Sequence, residues 1–278
     1  MNTSMSNTHA QSMSREDKTK LSNTERMLLL LPMAGGLVFG LGPFLFGSAV
    51  GAAVGFPGND AYIYRLAGAA AFGYAVALIM GIRQVEWAPL RQVVIGTLTF
   101  NLASIFACVA GLLAGDTNLF VYLILAASII FIAITASLLN RHGRAGLEGA
   151  STSSSAWYVR FVTLGTVLSA AFGLLPLLIP VFGAQLLGFH GTDVFIIRQA
   201  GAASLGYAVM GLIGRQTGAW SEVRLGLIMA LIFNGFSFIA SVIALFSGEP
   251  ILISLVIGAA SLFVTVVGTI AYGRNGQL

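Results

Sequence analysis

GFPGNDAYIYRLAGAAAFGYAV at residues 55–76 recurs as GFHGTDVFIIRQAGAASLGYAV at residues 188–209. The two segments lie 133 positions apart, and the same offset aligns residues 28–141 with 161–274 without a gap, 38 of 114 positions being identical. The chain reads as a tandem duplication. One sequence thereby supplies a comparison of two, and polar residues kept in both copies become the first candidates for a shared role.

Composition places both copies in a bilayer. The chain is 57% hydrophobic and 9% charged, with a mean hydropathy of +0.89, whereas soluble domains carry roughly 25% charged residues. Apolar stretches of about the ~20 residues needed to cross a bilayer core run over 27–50, 61–82, 92–114, 118–139, 160–183, 194–213, 224–246 and 250–272. The prediction is an all-α polytopic membrane protein: eight transmembrane helices forming two parallel four-helix repeats, related by a pseudo-two-fold axis along the membrane normal. Four spans per copy make both copies enter the membrane in the same direction. A β-barrel would show short alternating strands of about ten residues instead.

The expected organisation is a disordered cytoplasmic tail (1–26), a first repeat (27–141), a flexible linker (142–159), a second repeat (160–274) and a short C-terminal tail (275–278). Residues 1–26 are polar and poor in aliphatic side chains, so they cannot offset their ordering entropy. The linker contains Gly143, Gly146, Gly149 and a Ser/Thr run at 151–155, a flexible composition. A signal-peptide reading of 27–50 conflicts with its length and with its mid-chain counterpart at 160–183.

With the N-terminus cytoplasmic, 12 of the 14 basic residues fall on the inner side; only Arg65 and Arg198 lie toward the other. By the positive-inside rule both termini are expected in the cytoplasm, in a multi-pass protein of the plasma (inner) membrane. The net charge of +4 follows from this asymmetry and implies no nucleic-acid partner. The expected partners are the bilayer and either another membrane protein or a second copy.

Small residues recur every four positions on the second span of each copy: Ala69, Gly73, Ala77, Gly81 and Ala202, Gly206, Met210, Gly214. Such a stripe allows close helix approach in lipid, or lines a pore. Pro43 and Pro176, at matched positions, predict kinks.

The matched polar pairs are the candidate site. Asp60 and Asp193 precede the second spans, where a carboxylate suits a helix N-terminus. Arg65 and Arg198 follow, about 8 Å deeper by helical rise, and Asp116 and Glu249 end the third spans. These form either structural ion pairs (Arg65–Asp116, Arg198–Glu249) or cationic sites in an outward vestibule. Tyr74/Tyr207, Asn101/Asn234 and Ser104/Ser237 lie deeper. They act either as polar glue between second and third spans, worth about 0.6 kcal/mol per bond, or as the lining of a ligand site near the inter-repeat axis. Ser128/Ser261 also repeats and reads as close packing. Gln199 does not repeat, facing Leu66. The lone Cys108 faces Ser241 and reads as a small packing residue. Trp87 and Trp220 read as interface anchors in cytoplasmic loops.

Catalytic chemistry is missing. His9, His142 and His190 are assigned to tail, linker and loop, Lys18 and Lys20 to the tail, and no carboxylate lies deep in a span. No metal, no cofactor and no enzymatic activity are expected.

The pattern Asp-x-x-x-x-Arg-x-Ala-Gly-Ala-Ala-x-x-Gly-Tyr at residues 60–74 resembles the second helix of small uncharacterised four-helix bacterial membrane proteins. That resemblance implies a four-helix unit fused in tandem and brings no activity with it. The expected function is binding or transport of a small solute, ion or lipid near the axis between repeats. The alternative is a non-catalytic accessory subunit of a larger membrane complex.

Overall fold

The computed structural model describes residues 19–145, 156–189, 191–217 and 220–275. The expected tail up to residue 18, most of the linker (146–155), His190 and residues 276–278 lie outside the described residues.

Among the described residues the chain is helical: α1 (Asn23–Phe46), α2 (Ser48–Ala53), α3 (Ala61–Gln84), α4 (Trp87–Leu113), α5 (Leu119–His142), α6 (Ala156–Leu178), α7 (Pro180–Leu186), α8 (Val194–Thr217), α9 (Trp220–Phe246) and α10 (Ile251–Asn275). All but the short α2 and α7 are long and apolar enough to cross a membrane, eight in number among the described residues. Helices satisfy their own backbone groups, as a hydrocarbon solvent demands.

The prolines divide their spans. Pro43 lies inside α1, and the helix ends a turn later at Gly47 (φ +56°), whose N–H still reaches the Pro43 carbonyl at 2.9 Å. α2 then restarts. Likewise α6 contains Pro176 and stops at Leu178, and Pro180 opens α7, a first-turn position that needs no N–H. Where kinked continuous spans are expected at 27–50 and 160–183, each is a long helix followed by a short one.

α3 and α8 form the centre of the bundle: 61% and 67% of their apolar windows are buried, against 22% for α1 and α5, 17% for α6 and 28% for α10. The outer helices expose Leu31, Leu123, Val167 and Val256, a surface suited to lipid. α1 packs along α3 and α6 along α8. Glycines allow both approaches. A Cβ on Gly68 would meet the Phe44 amide nitrogen at 2.6 Å, and one on Gly201 the Leu177 nitrogen at 2.8 Å.

The third long helix of each half crosses to the other half. α4 lies chiefly along α8, and α9 lies along α3 as well as along α10 of its own half, while α3–α4 and α8–α9 contacts are slight. Of the residues expected as glue between neighbouring second and third spans, Tyr74, Tyr207 and Ser104 bond across the halves instead.

Order begins earlier than residue 27. The Leu21 N–H donates to the Val85 carbonyl at 2.8 Å and the Trp87 N–H to the Thr19 carbonyl at 2.9 Å, and Leu21 is buried. Ser22 and Glu25 form a capping box at the start of α1. Glu25 also pairs with His142 at 2.9 Å and Arg141 at 3.3 Å. His142 thus closes α5 as a buried residue, where a linker position is expected. Trp87 is not an exposed anchor either: it is fully buried, stacks on His142, and its indole N–H donates to the Gly143 carbonyl at 3.3 Å. Trp220 packs edge-on against Tyr272.

Candidate functional site

The matched tyrosines meet at the centre. The rings of Tyr74 and Tyr207 pack edge to face with centroids 5.0 Å apart. The Tyr74 hydroxyl donates to the Ala203 carbonyl at 3.0 Å, and the Tyr207 hydroxyl to the Ala70 carbonyl at 2.9 Å. Each ring lies against the other half's glycine, Tyr207 on Gly73 and Tyr74 on Gly206. Both hydroxyls are spent on α3–α8 packing, and the middle of the bundle is filled.

The open space lies to either side. A first cavity of about 290 Å³ is walled by α1, α3, α4, α5 and α8; Asn101, Ser104, Ser128 and Gln199 line it among apolar side chains such as Phe39, Phe100 and Phe131. A second, of about 210 Å³, is walled chiefly by α6, α8, α9 and α10, with Ile63 and Leu66 reaching in from α3; Asn234, Ser237 and Ser261 line it beside Phe161, Phe172 and Val264. Tyr74 borders the first and Tyr207 the second.

The polar corners of the two cavities differ. In the first, the Ser104 hydroxyl donates to Gln199 Oε1 at 2.8 Å, the Ser128 hydroxyl donates to Ser104 Oγ at 3.2 Å, and Gln199 Nε2 reaches Cys108 Sγ at 3.6 Å. In the second, Leu66 holds the position matched to Gln199, and Ser237 Oγ is buried with no partner among the described residues. Ser241, matched to Cys108, turns instead to Tyr62, their hydroxyls 2.6 Å apart. Both asparagines donate Nδ2 to a carbonyl one turn back in their own helix, Asn101 to Thr97 at 2.7 Å and Asn234 to Ala230 at 2.8 Å. Neither is joined to a tyrosine.

The outer candidates gather at one end of the bundle. Asp193 reaches across to the first half and accepts the N–H groups of Gly58 (2.8 Å), Asn59 (2.8 Å) and Asp60 (2.9 Å), together with the Tyr64 hydroxyl (3.1 Å). It caps the approach to α3 from the other half, whereas Asp60 makes no side-chain cap to α3 itself. Asp116 accepts the Asn118 N–H at 3.0 Å. The Arg65 guanidinium rests over Gly47, and the Nε atoms of Arg65 and Arg198 are buried without partners among the described residues. Among the described residues no ion pair joins Arg65 to Asp116.

Matched positions led to Tyr, Asn and Ser. The unmatched Gln199 and Tyr62, and the buried Glu25–His142 pair, are structural participants that a search for repeated residues passes over. Among the described residues no three His, Cys, Asp or Glu side chains converge as a metal site would need. No known protein family, characterised protein or solved structure matches the chain.

Proposed function

We propose that this integral membrane protein binds a small, largely apolar molecule in paired lateral cavities, and that it holds or moves that molecule within the bilayer without chemical conversion. The observation that carries the reading is the separation of centre and sides. Tyr74 and Tyr207 close the middle, while Asn101/Ser104 and Asn234/Ser237 lie in the walls of two cavities lined mainly by apolar side chains. Apolar pockets with a few convergent polar groups are the ordinary form of a small-molecule site. An ion path along the axis, the other form of the transport reading, has less support, because the tyrosine hydroxyls there are already spent.

The two cavities fit an origin as parallel four-helix repeats about an axis normal to the membrane. Matched residues take part in reciprocal contacts: Tyr74 with Ala203 and Tyr207 with Ala70, Gly68 against Phe44 and Gly201 against Leu177. The distribution of basic residues supports cytoplasmic termini and a plasma (inner) membrane location.

Extraction in mild detergent followed by mass spectrometry of co-purifying small molecules tests the function. Gly42 and Gly165 line the first and second cavities, and a Cβ on either meets open space. Gly42→Phe and Gly165→Phe should each fill one cavity, leave folding intact and reduce the retained molecule. Retention unchanged in the double variant would overturn the reading.

The accessory-subunit reading draws on the interlocked packing of α4 with α8 and α9 with α3, which makes a rigid body suited to hold partners. Native mass measurement distinguishes it, since a stable heteromeric partner would favour this reading.

A further inference from the structure

We infer that the second cavity is the selective one, and that its ligand is an apolar, lipid-soluble molecule carrying a hydroxyl group, which takes the place that the Gln199 side chain fills in the first cavity. The inference rests on the paired-cavity reading.

In the first cavity Gln199 reaches in from α8 and accepts the Ser104 hydroxyl at 2.8 Å. The corner satisfies itself. In the second, the matched α3 position is Leu66, which has nothing to offer Ser237. Nor does Ser237 fall back on its own helix, as Ser241 does by donating to the Ser237 carbonyl at 2.8 Å. Its Oγ is left buried in a wall of the cavity, unpartnered among the described residues. Buried hydroxyls are rarely left so, because the lost hydration is not repaid.

Asn234 lies three residues before Ser237 and shares its helix face. Its Nδ2 is committed to the Ala230 carbonyl at 2.8 Å, which leaves Oδ1 as an acceptor beside the Ser237 donor. A hydroxyl is the smallest group on an apolar molecule that accepts from one and donates to the other. The wall is mainly apolar, with Phe161, Phe172 and Val264 among its residues, and favours a molecule whose remainder is apolar. A single trapped water would satisfy the same two atoms, and it is the competing occupant.

The full-length protein is reconstituted in lipid nanodiscs and photolabelled with a medium-chain aliphatic alcohol bearing a diazirine, with the corresponding diazirine alkane as control; labelled residues are mapped by mass spectrometry. The alcohol should label α6, α9 and α10 around the second cavity about tenfold more than the alkane does, the discrimination that about 1.4 kcal/mol provides. Leu66→Gln, which imports the first cavity's occupant, should reduce alcohol labelling to the alkane level. Gln199→Leu should create alcohol-selective labelling around the first cavity. Alcohol and alkane labelling alike in the wild type, with no response to Leu66→Gln, would mean that the cavities bind but the corner holds only water, and would overturn the inference. No labelling of either cavity above an unrelated membrane protein would overturn the paired-cavity reading itself. If Leu66→Gln does not fold, Gln199→Leu decides: no gain at the first cavity sinks the inference.

Discussion

A methyl group marks where the bundle has no slack. On Gly206 it would collide with the Tyr74 hydroxyl and stand 2.6 Å from the Gly96 carbonyl, which belongs to the backbone of α4 and cannot turn aside. Gly206→Ala should therefore destabilise the protein by about 1–3 kcal/mol, the usual cost of overpacking, lowering the thermal midpoint in detergent. Gly165→Ala, where nothing lies within 4 Å, should be neutral or mildly stabilising, because alanine is the better helix former. Equal behaviour of the two variants would contradict the tight α3–α8–α4 junction. Asp193 is the polar counterpart of this argument. Its carboxylate holds three backbone N–H groups of the other half, and charge-assisted bonds contribute about 1.5–3 kcal/mol each when buried. Asp193→Ala should cost more than 2 kcal/mol and speed amide exchange at residues 58–60; unchanged exchange there would refute the trans-cap.

At the scale of elements, the eight long helices were legible because hydrocarbon imposes one rule, a run of apolar residues long enough to span it. What the runs touch was not legible. Both α4 and α8 present small and apolar faces, and lipid gives no hydrophobic preference for one neighbour over another. The pairing is set by shape: Gly96 admits α8, and Gly206 admits the Tyr74 ring. For the same reason repetition alone does not describe the cavities. Repeated residues identified Asn101, Ser104, Asn234 and Ser237 as cavity lining, but the feature separating the cavities is the unrepeated Leu66/Gln199 pair. The start of α1 was misread because composition alone describes residues 19–26 as polar. The Ser22–Glu25 box and the Glu25–His142 contact anchor them, and no local pattern announces a partner 117 positions away. His142→Ala should leave the Glu25 carboxylate with fewer donors. Hydrogen exchange at residues 19–27 should then rise while the α3–α8 centre stays protected. Protection unchanged at both would show that the pair does not hold α1 in place.

The whole molecule is an interlocked body more than two bundles side by side. α4 finds its main surface on α8, α9 divides its packing between α10 and α3, and the contacts of α4 with α3 and of α9 with α8 are slight. A half expressed alone would keep α1 on α3 or α6 on α8, and its third helix on its fourth, but the face that α4 lays on α8, or α9 on α3, would be left to lipid, and Ser104 would lose the Gln199 acceptor. Polar groups in hydrocarbon without partners are costly, and the carbonyls of Ala70 and Ala203 would each lose a tyrosine donor from the other half. The linker between the halves need not be covalent for this packing to form, since the contacts that hold them arise inside the bundle. Cutting the gene within residues 146–155 and producing both fragments together should therefore yield a complex that co-purifies through a tag on either piece. Each fragment produced alone should be degraded or aggregate. Fragments that are separately stable and monomeric would instead describe two independent bundles, and the cross-packing would have to be abandoned. Fragments that associate only when Tyr74 and Tyr207 are both intact would place most of the association at the central ring contact, and single Phe substitutions, which keep the rings and remove one hydroxyl, would then measure how much of it is hydrogen bonding.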